Sequence, residues 1–552
     1  MYRVGKNLRR VIKPTKELLS VRCSKFFDPS PLRNKLFSAF LFILIVFSIA
    51  LGTAHRIPTQ NSDTSNFLSF IGQEAIFPPL QSRYATTMYE LDYLIAPDKS
   101  VVCEKIFDPP TYTNNFFKIH PYVLAPIIAV SSFLIPIPVN WIAAIWIAAS
   151  ATVGLFGIFI FLRRLGVKSL GSILILATVV LYPVYTESLI GQIYMDQLII
   201  GPGICLFLLV WWMRYRSVSV WKWAVALTLL LGSISERGAY CGMLISLIYV
   251  SLLFGTQLFR KRETAYVAMS GALCLLWGVL WTKFIQDNFR IAGISFQGSM
   301  NRLHSLFYET HYNDLFVVFL AVSATWFIVS LLSGRGFLVM LLAIAPNLLV
   351  DVGGAELTGF TTHYHQTYLP ILLASGTVGL VRVATFKFNR KTISTIFGLC
   401  TCAIFLTVSL FVWTNHGLHT PVNQRLKSAR TLLAPVILPK YISDQSTTEH
   451  SFREVALFVA SLDPNKVSVP EFLTPALYIA GVQNIHYWPV GVSKADVVVA
   501  PWDENGPNPF PFGFWGDTEP TLRACILEEL SINYKLVGEY LGNTLRIYQK
   551  IS

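Results

Sequence analysis

Long apolar stretches, separated by short basic clusters, constrain this chain more than any other feature. Phe37–Ala50, Trp141–Leu162, Leu170–Tyr185, Cys205–Trp212 with its flanks, Met243–Phe254, Leu315–Leu332 and Ile393–Trp413 reach or approach the roughly 20 apolar residues that cross a hydrocarbon core. Only 14% of the residues are charged, and the mean hydropathy is +0.52. A water-soluble protein cannot cover that much apolar surface with so little charge. The chain reads as a polytopic helical membrane protein.

The net charge of +13 at first suggests nucleic acid, but its distribution argues against that partner. Residues 1–35 hold ten Lys and Arg against two acids, Glu17 and Asp28. Further clusters at Arg163-Arg164-Lys168, Arg214-Arg216-Lys222, Arg260-Lys261-Arg262 and Lys387-Arg390-Lys391 each abut an apolar span. That is the positive-inside pattern, which also attracts anionic lipid. It predicts a basic cytoplasmic segment at 1–35 and a transmembrane region at 36–414 with a long outer loop at 54–118. The apolar segment near residue 36 reads as a signal anchor, because its basic leader is too long for a signal peptide.

His120-Pro121 opens an apolar stretch that ends at Pro136-Ile137-Pro138. Counted as a full span, it would put Arg163-Arg164 outside. Read as a re-entrant or juxtamembrane helix, it keeps the charge rule at every later loop. The count is then about eleven spans, with span 3 near 169–186, span 5 near 221–235 and span 6 near 239–257. Residues 415–552 differ in kind and read as a small extracytoplasmic α/β domain. Ser451–Ser461 and Cys525–Ile532 read as helices. Lys466–Val469, Asn484–Trp488, Ala495–Ala500, Tyr534–Glu539 and Thr544–Gln549 read as strands. The eight cysteines imply no disulfide framework. Cys103 and Cys525 alone face outward, and a bond could join them.

In this topology a set of acids and histidines collects on the outer side. Asp63 follows span 1 by about ten residues and is placed to act as a general base, although a solvated loop acid reads the same way. Glu187 and Asp196 bracket what reads as a short outer loop. Acids so near hydrocarbon are costly unless used or paired. Glu236-Arg237 sits in an apolar setting, where the planar guanidinium suits a phosphate; the bland alternative is a structural ion pair. His363-Tyr-His365 puts both imidazoles on one face if the segment is extended. With Asp351 and Glu356 nearby, a divalent cation would find ligands there. His120 can reach the same cavity. No Walker-type loop, GxGxxG or GxSxG occurs.

Several segments carry a resemblance: Lys118-Ile-His-Pro121 with Leu124-Ala-Pro126, Leu181-Tyr-Pro183, Ser235-Glu-Arg237, His365-Gln-Thr-Tyr-Leu-Pro370 and Ala495-Asp-Val-Val-Val-Ala-Pro501. In order and separation they resemble the prokaryotic membrane proteins grouped as domain of unknown function 2079, and more widely the multi-pass C-type glycosyltransferases. The resemblance covers roughly residues 36–505. It implies a prokaryotic cytoplasmic-membrane enzyme that transfers a sugar from a polyprenyl-phosphate donor to an extracytoplasmic acceptor. Asp63 matches the first-loop acid that serves in those enzymes as base or metal ligand, here as a single acid in Asn61-Ser-Asp63-Thr64. Asp196 and Glu236 join it as catalytic candidates. Arg237, His120, Glu187, His363, His365 and Glu356 are the substrate-binding candidates. Two other readings stay open: a transporter or flippase of a lipid-linked or small polar substrate, and a non-catalytic envelope scaffold.

Overall fold

The computed structural model describes residues 32–55, 122–216, 220–289, 323–349, 363–385, 447–508 and 519–551, apart from 136, 168, 181, 191–192 and 483. It also describes residues 67–68 and 71 and three short strands, β1 (Glu74–Ala75), β2 (Gln81–Ser82) and β3 (Asn114–Asn115), which pair antiparallel in that order. Among these residues, four helices are long and apolar enough to cross a membrane: Val139–Arg164, Met195–Tyr215, Glu236–Gln257 and Arg262–Trp281. Shorter apolar helices cover Phe42–Ala54, Gly171–Val180, Trp221–Ile234, Arg335–Asn347 and Leu369–Arg382. The expected count of about eleven reaches further, since residues 315–322 and 393–414 lie outside the described residues.

Helix α1 (Leu32–His55) lies along α3 (Val139–Arg164), where Ala50, Ala54, Ala144 and Ala148 form one buried cluster. Small side chains let two membrane helices approach closely. The Asn140 amide then reaches the Ala54 carbonyl at 3.0 Å. Between them in sequence, α2 (Ala125–Leu134) has ten residues. At 1.5 Å per residue it is about half the length needed to cross the core. It exposes Ile127, Val130 and Leu134. Length and exposed face both fit a juxtamembrane helix.

Span 3 departs from the single helix expected over 169–186. The structure has α4 (Ser169–Val180), a break, and α5 (Pro183–Ile190). Pro183 has no N–H to continue the first helix but fits the first turn of the next. The break carries Glu187 into a helix, not a loop. Asp196 also leaves the expected loop: it lies in a 3-10 turn, Met195–Ile199, that runs straight into α6 (Ile200–Arg216).

Helix α6 crosses α3 with almost no separation. The Ser150 hydroxyl donates to the Leu198 carbonyl at 2.8 Å and accepts from the Gly201 N–H at 3.2 Å. A methyl group on Gly201 would stand 2.1 Å from the Ser150 carbonyl oxygen. Two further helices, α7 (Trp221–Ile234) and α8 (Glu236–Met243), meet at Ser235, and α8 continues through a π-helical stretch, Leu244–Tyr249, to Phe254. Then follow α9 (Arg262–Phe289), helical residues 323–331, α10 (Arg335–Leu349), a 3-10 turn at His363–Thr367, and α11 (Leu369–Thr385).

One end of this bundle gathers cations. Arg164 lies over the Trp212 ring, Arg214 and Lys261 both flank Phe254, and Arg382 bonds the Ser333 carbonyl. The opposite end holds Asp196, Ser235 and Glu236.

The C-terminal part is α/β, as its strand and helix pattern implies. A sheet of order β5-β4-β6-β9-β8 is built from β4 (Val467–Val469), β5 (Ile485–Tyr487), β6 (Val497–Asp503), β8 (Tyr534–Tyr540) and β9 (Leu545–Lys550), with β7 (Gly506–Pro507) on the far end of β6. Strands β5, β4 and β6 are parallel, while β9 pairs antiparallel with β6 and β8. Both faces are covered. Val497 and Val499 pack with Phe452, Val455 and Val459 of α12 (Thr447–Ser461), while Val498 and Ala500 pack with Leu522, Ile526 and Leu530 of α14 (Glu519–Asn533). That explains why Val497–Ala500 is uninterruptedly apolar. Helix α13 (Thr474–Ile479), after β4, packs against α3 and joins this part to the membrane body. Cys525, one of the two cysteines expected to face outward, is disulfide-bonded; its partner lies outside the described residues.

Two outcomes follow. Gly201→Ala should cost about 2 kcal/mol or more by forcing α3 and α6 apart, seen as a lower unfolding midpoint in detergent. Gly278→Ala, whose methyl would sit at an ordinary 3.6 Å from Ala239, is the matched substitution that should be tolerated. The second concerns His486, which is 9% exposed. Burial, then Lys466 and Lys494, push its pKa down to about 4. The native imidazole is therefore neutral where the unfolded one (about 6.5) begins to charge. Stability should fall as pH drops from about 6.5 to 4, by on the order of 3 kcal/mol, and then level off. Hydrogen exchange of β4 and β5 across that range reads it, and His486→Gln should flatten the slope.

Candidate functional site

The sequence Ser235-Glu-Arg-Gly238 builds a sharp corner between α7 and α8. Ser235 is extended and caps α8, its hydroxyl oxygen accepting from the Gly238 N–H at 3.2 Å. The corner needs glycine at 238, since a methyl group there would lie 2.2 Å from the Leu231 carbonyl oxygen. It also anchors the juxtamembrane segment, because the Leu124 N–H donates to the Ser233 carbonyl at 3.0 Å.

Asp196 meets this corner from the 3-10 turn. Its Oδ1 accepts from the Ser235 hydroxyl at 2.5 Å, and its Oδ2 accepts from Nη1 of Arg237. The carboxylate is 1% exposed and the Arg237 side chain 20%. An acid buried to this degree survives because it is paired, hydrogen-bonded, and set at the N-terminus of α8, where the helix dipole favours negative charge. The turn itself is held by Gln197, fully buried. Its side-chain oxygen accepts from the Tyr194 N–H at 2.8 Å, and its amide donates to the Ser188 and Leu189 carbonyls at 2.8 and 3.1 Å.

The third element is the turn His363–Thr367. Tyr364 puts its ring beneath Arg237, 4.4 Å from guanidinium carbon to ring centroid. Asn347 of α10 fixes that residue, donating to its carbonyl at 3.2 Å. Next in the turn, His365 is fully buried with Nδ1 2.7 Å from the Tyr368 hydroxyl, and Gln366 donates to the Ser188 hydroxyl at 3.0 Å. Arg237 is thus held by a carboxylate at one edge and an aromatic face on one side. Its remaining N–H groups have no partner among the described residues. A planar fork, part-exposed and oriented, is the geometry that receives a phosphate with paired hydrogen bonds.

Aromatic side chains wall the site. Tyr122 and Phe67 meet Tyr194 edge-on at 5.8 and 6.2 Å between ring centroids. Phe67, four residues after Asp63, brings the outer loop to within two residues of Asp196.

The structure brings Asp196, Arg237 and Glu236 together and adds the turn holding His365. Backbone positions of Glu187 and His363 fall on α5 and on the same 3-10 turn. Asp63, His120 and Glu356 lie outside the described residues. The condition for placing both imidazoles of His363-Tyr-His365 on one face, an extended backbone, is not met, since the segment is a 3-10 turn, and Tyr364 within it is the residue that meets Arg237. Ser235, Asn347 and Tyr364 were the members not singled out as site residues. Ser235 stood in the quoted Ser235-Glu-Arg237 segment and Tyr364 between two histidines, whereas Asn347 carried no signal. Among the described residues no group of three or more His, Cys, Asp or Glu stands where it could hold a metal ion. Each Asp196 oxygen accepts a hydrogen bond, one from Ser235 and one from Arg237.

No family model matches the chain, and no curated protein matches it. Solved structures do. ArnT from Cupriavidus metallidurans bound to undecaprenyl phosphate aligns at 13% identity with a TM-score of 0.50, covering 93% of this chain and 98% of that one. The arabinofuranosyltransferase AftD from Mycobacteria aligns at 13% identity and TM-score 0.45, covering 94% of this chain. The chain spans 40% of the length of that larger protein. The chain shares the overall fold of the ArnT structure, here a multi-pass, mostly helical membrane body with a small C-terminal α/β domain.

Breaking the pair tests what it holds. Asp196→Ala leaves a guanidinium without its anion and should cost about 3 kcal/mol, while Ser235→Ala should cost about 1 kcal/mol through the lost cap. Asp196→Leu with Arg237→Met should recover much of the unfolding midpoint. A double variant as unstable as the sum of its singles would show that the pair does not hold the corner.

Proposed function

We propose that the protein is a membrane glycosyltransferase acting at the extracytoplasmic face, with a polyprenyl-phosphate-linked sugar as donor. The observation that carries this is Arg237: a cation clamped by Asp196, stacked on Tyr364, and with donors to spare. The reaction joins an acceptor hydroxyl oxygen to the anomeric carbon and breaks that carbon's bond to the phosphate oxygen. Negative charge grows on the departing phosphate, and Arg237 is placed to stabilise it. Asp196 acts through Arg237 as a positioning residue, since both of its oxygens are occupied. Asp63 is the assigned base for the acceptor proton, supported by the packing of Phe67 on Tyr194. Glu236, His365, Glu187, His120, His363 and Glu356 would contact sugar or acceptor. Such chemistry needs placement and charge stabilisation more than reactive side chains.

Three further observations support the reading. The cationic end of the bundle, taken as cytoplasmic by the positive-inside rule, puts the Asp196–Arg237 corner outside. The Cys525 disulfide suits an oxidising face. ArnT, which shares the fold, is a protein seen with undecaprenyl phosphate bound. Membership of the domain-of-unknown-function 2079 group rests on the segments quoted above.

Binding of undecaprenyl phosphate to the purified protein, followed by native mass spectrometry, tests the central assignment. Arg237→Ala should weaken binding by about 10- to 100-fold, the worth of one or two charge-assisted hydrogen bonds. Arg237→Lys should lie between, keeping the charge and losing the fork. Equal binding by wild type and Arg237→Ala would sink the proposal.

A further inference from the structure

The cationic end of the bundle is more specific than a charge bias requires. Helix α8 and its continuation end at Leu253 and Phe254, capped by Gly255 with φ of +51°. The last carbonyls of a helix lack intrahelical donors and attract cations. One donor would satisfy the Leu253 carbonyl. It receives two, from helices far apart in sequence: Nε of Arg214 at 3.2 Å and Nη1 of Arg335 at 3.3 Å. Two guanidinium groups are thereby held side by side. Lys261 joins them, since it and Arg214 each lie 6.0 Å from the centre of the same Phe254 ring. Arg382 borders the group through its Nη2 contact to the Tyr215 hydroxyl at 3.4 Å. No carboxylate among the described residues pairs with Arg214, Lys261 or Arg335, and all three residues are exposed.

Three like charges fixed together, without an anion, repel one another. A neutral carbonyl and an aromatic face reduce that repulsion but do not cancel it. The surroundings indicate what would. Beside Arg335, Ile328, Leu331, Leu332 and Leu338 are exposed, by 62%, 56%, 45% and 51%. Ile328 and Leu331 end the helix before the turn, Leu332 opens the turn and Leu338 lies in the first turn of α10, so Arg335 stands at the end of an exposed apolar strip.

We infer that Arg214, Arg335 and Lys261 form a binding site for the phosphate of an anionic glycerophospholipid in the inner leaflet, with its acyl chains along the 328–338 strip. The arginines supply paired hydrogen bonds to phosphate oxygens, and Lys261 supplies the charge on the other side of Phe254. This site is at the opposite end of the bundle from Arg237 and does not depend on the transferase reading.

The test uses the purified full chain, with phosphatidylglycerol, phosphatidylcholine and inorganic phosphate as probes. Native mass spectrometry should show phosphatidylglycerol retained on the wild type in preference to phosphatidylcholine. Arg214→Gln with Arg335→Gln should weaken that retention by on the order of 30-fold, two charges at the strength usual for basic residues near an anionic membrane surface. Arg163→Gln, whose guanidinium is spent on the Val167 carbonyl at 2.9 Å, should retain the lipid. Should the double variant fail to fold, Lys261→Gln alone, at an exposed position, should still give several-fold weaker retention. Phosphatidylglycerol should also raise the unfolding midpoint, and inorganic phosphate at equal concentration should not. Equal retention of the two lipids, equal loss in Arg163→Gln, or equal protection by inorganic phosphate would each overturn the assignment.

Discussion

A buried carboxylate beside hydrocarbon is the constraint around which this membrane body is arranged. Removing Asp196 from water costs several kcal/mol, a penalty that pairing alone does not reliably offset. The fold answers with three elements at once: a serine at a helix start, an arginine two residues later in the first turn of that helix, and the helix dipole itself. Each constrains the chain elsewhere. Ser235 must be extended, so α7 and α8 must turn sharply. The turn brings Gly238 against Leu231, and the corner then anchors the juxtamembrane segment through Ser233. A hydrophobic pair would hold the same corner at lower cost. What it would not supply is a guanidinium fixed in direction with donors left over. The arrangement is better explained by orientation than by stability.

Close backbone approach is what lets the pieces meet. Ser150 bonds both to the carbonyl before α6 and to the Gly201 N–H, so α6 starts at a fixed height against α3. The 3-10 turn carrying Asp196 is therefore positioned from below by α3 and from the side by Gln197, which ties it to the end of α5. Pro183 contributes by ending α4 early. The break shortens that span and directs α5 toward the turn, giving Ser188 a place between Gln197 and Gln366.

Much of this was legible in the sequence, and the limits have physical causes. The apolar spans, the short helix near 125–134 and the strands of the C-terminal domain follow from length and periodicity, which are local properties. Val497–Ala500 announced a strand covered on both faces because nothing in it tolerates water. Acids near span ends marked Asp196 and Glu236 for the same reason. Partnership was not legible. Asp196 and Arg237 are 41 residues apart, and nothing local distinguishes a paired buried acid from a solvated one at a span edge. The shared-face reading of His363-Tyr-His365 depended on an extended backbone, which the pattern of residues does not fix. The backbone is a 3-10 turn, and Tyr364 within it is the partner of the cation.

The contrast between the two ends of the bundle then has a single origin. At one end, arginine is satisfied by a carboxylate that is itself enclosed, so the ion pair is neutral and only its direction is available for use. At the other, arginines rest on a helix-terminal carbonyl and aromatic rings, which orient them but leave their charge in place. The first arrangement suits a phosphate that arrives, reacts and departs, because a strongly uncompensated cation would hold the product. The second suits an anion that stays. On the two proposals, the same side chain, set by different acceptors, would divide transient from resident phosphate chemistry along one helix that begins at Glu236 and ends at Phe254.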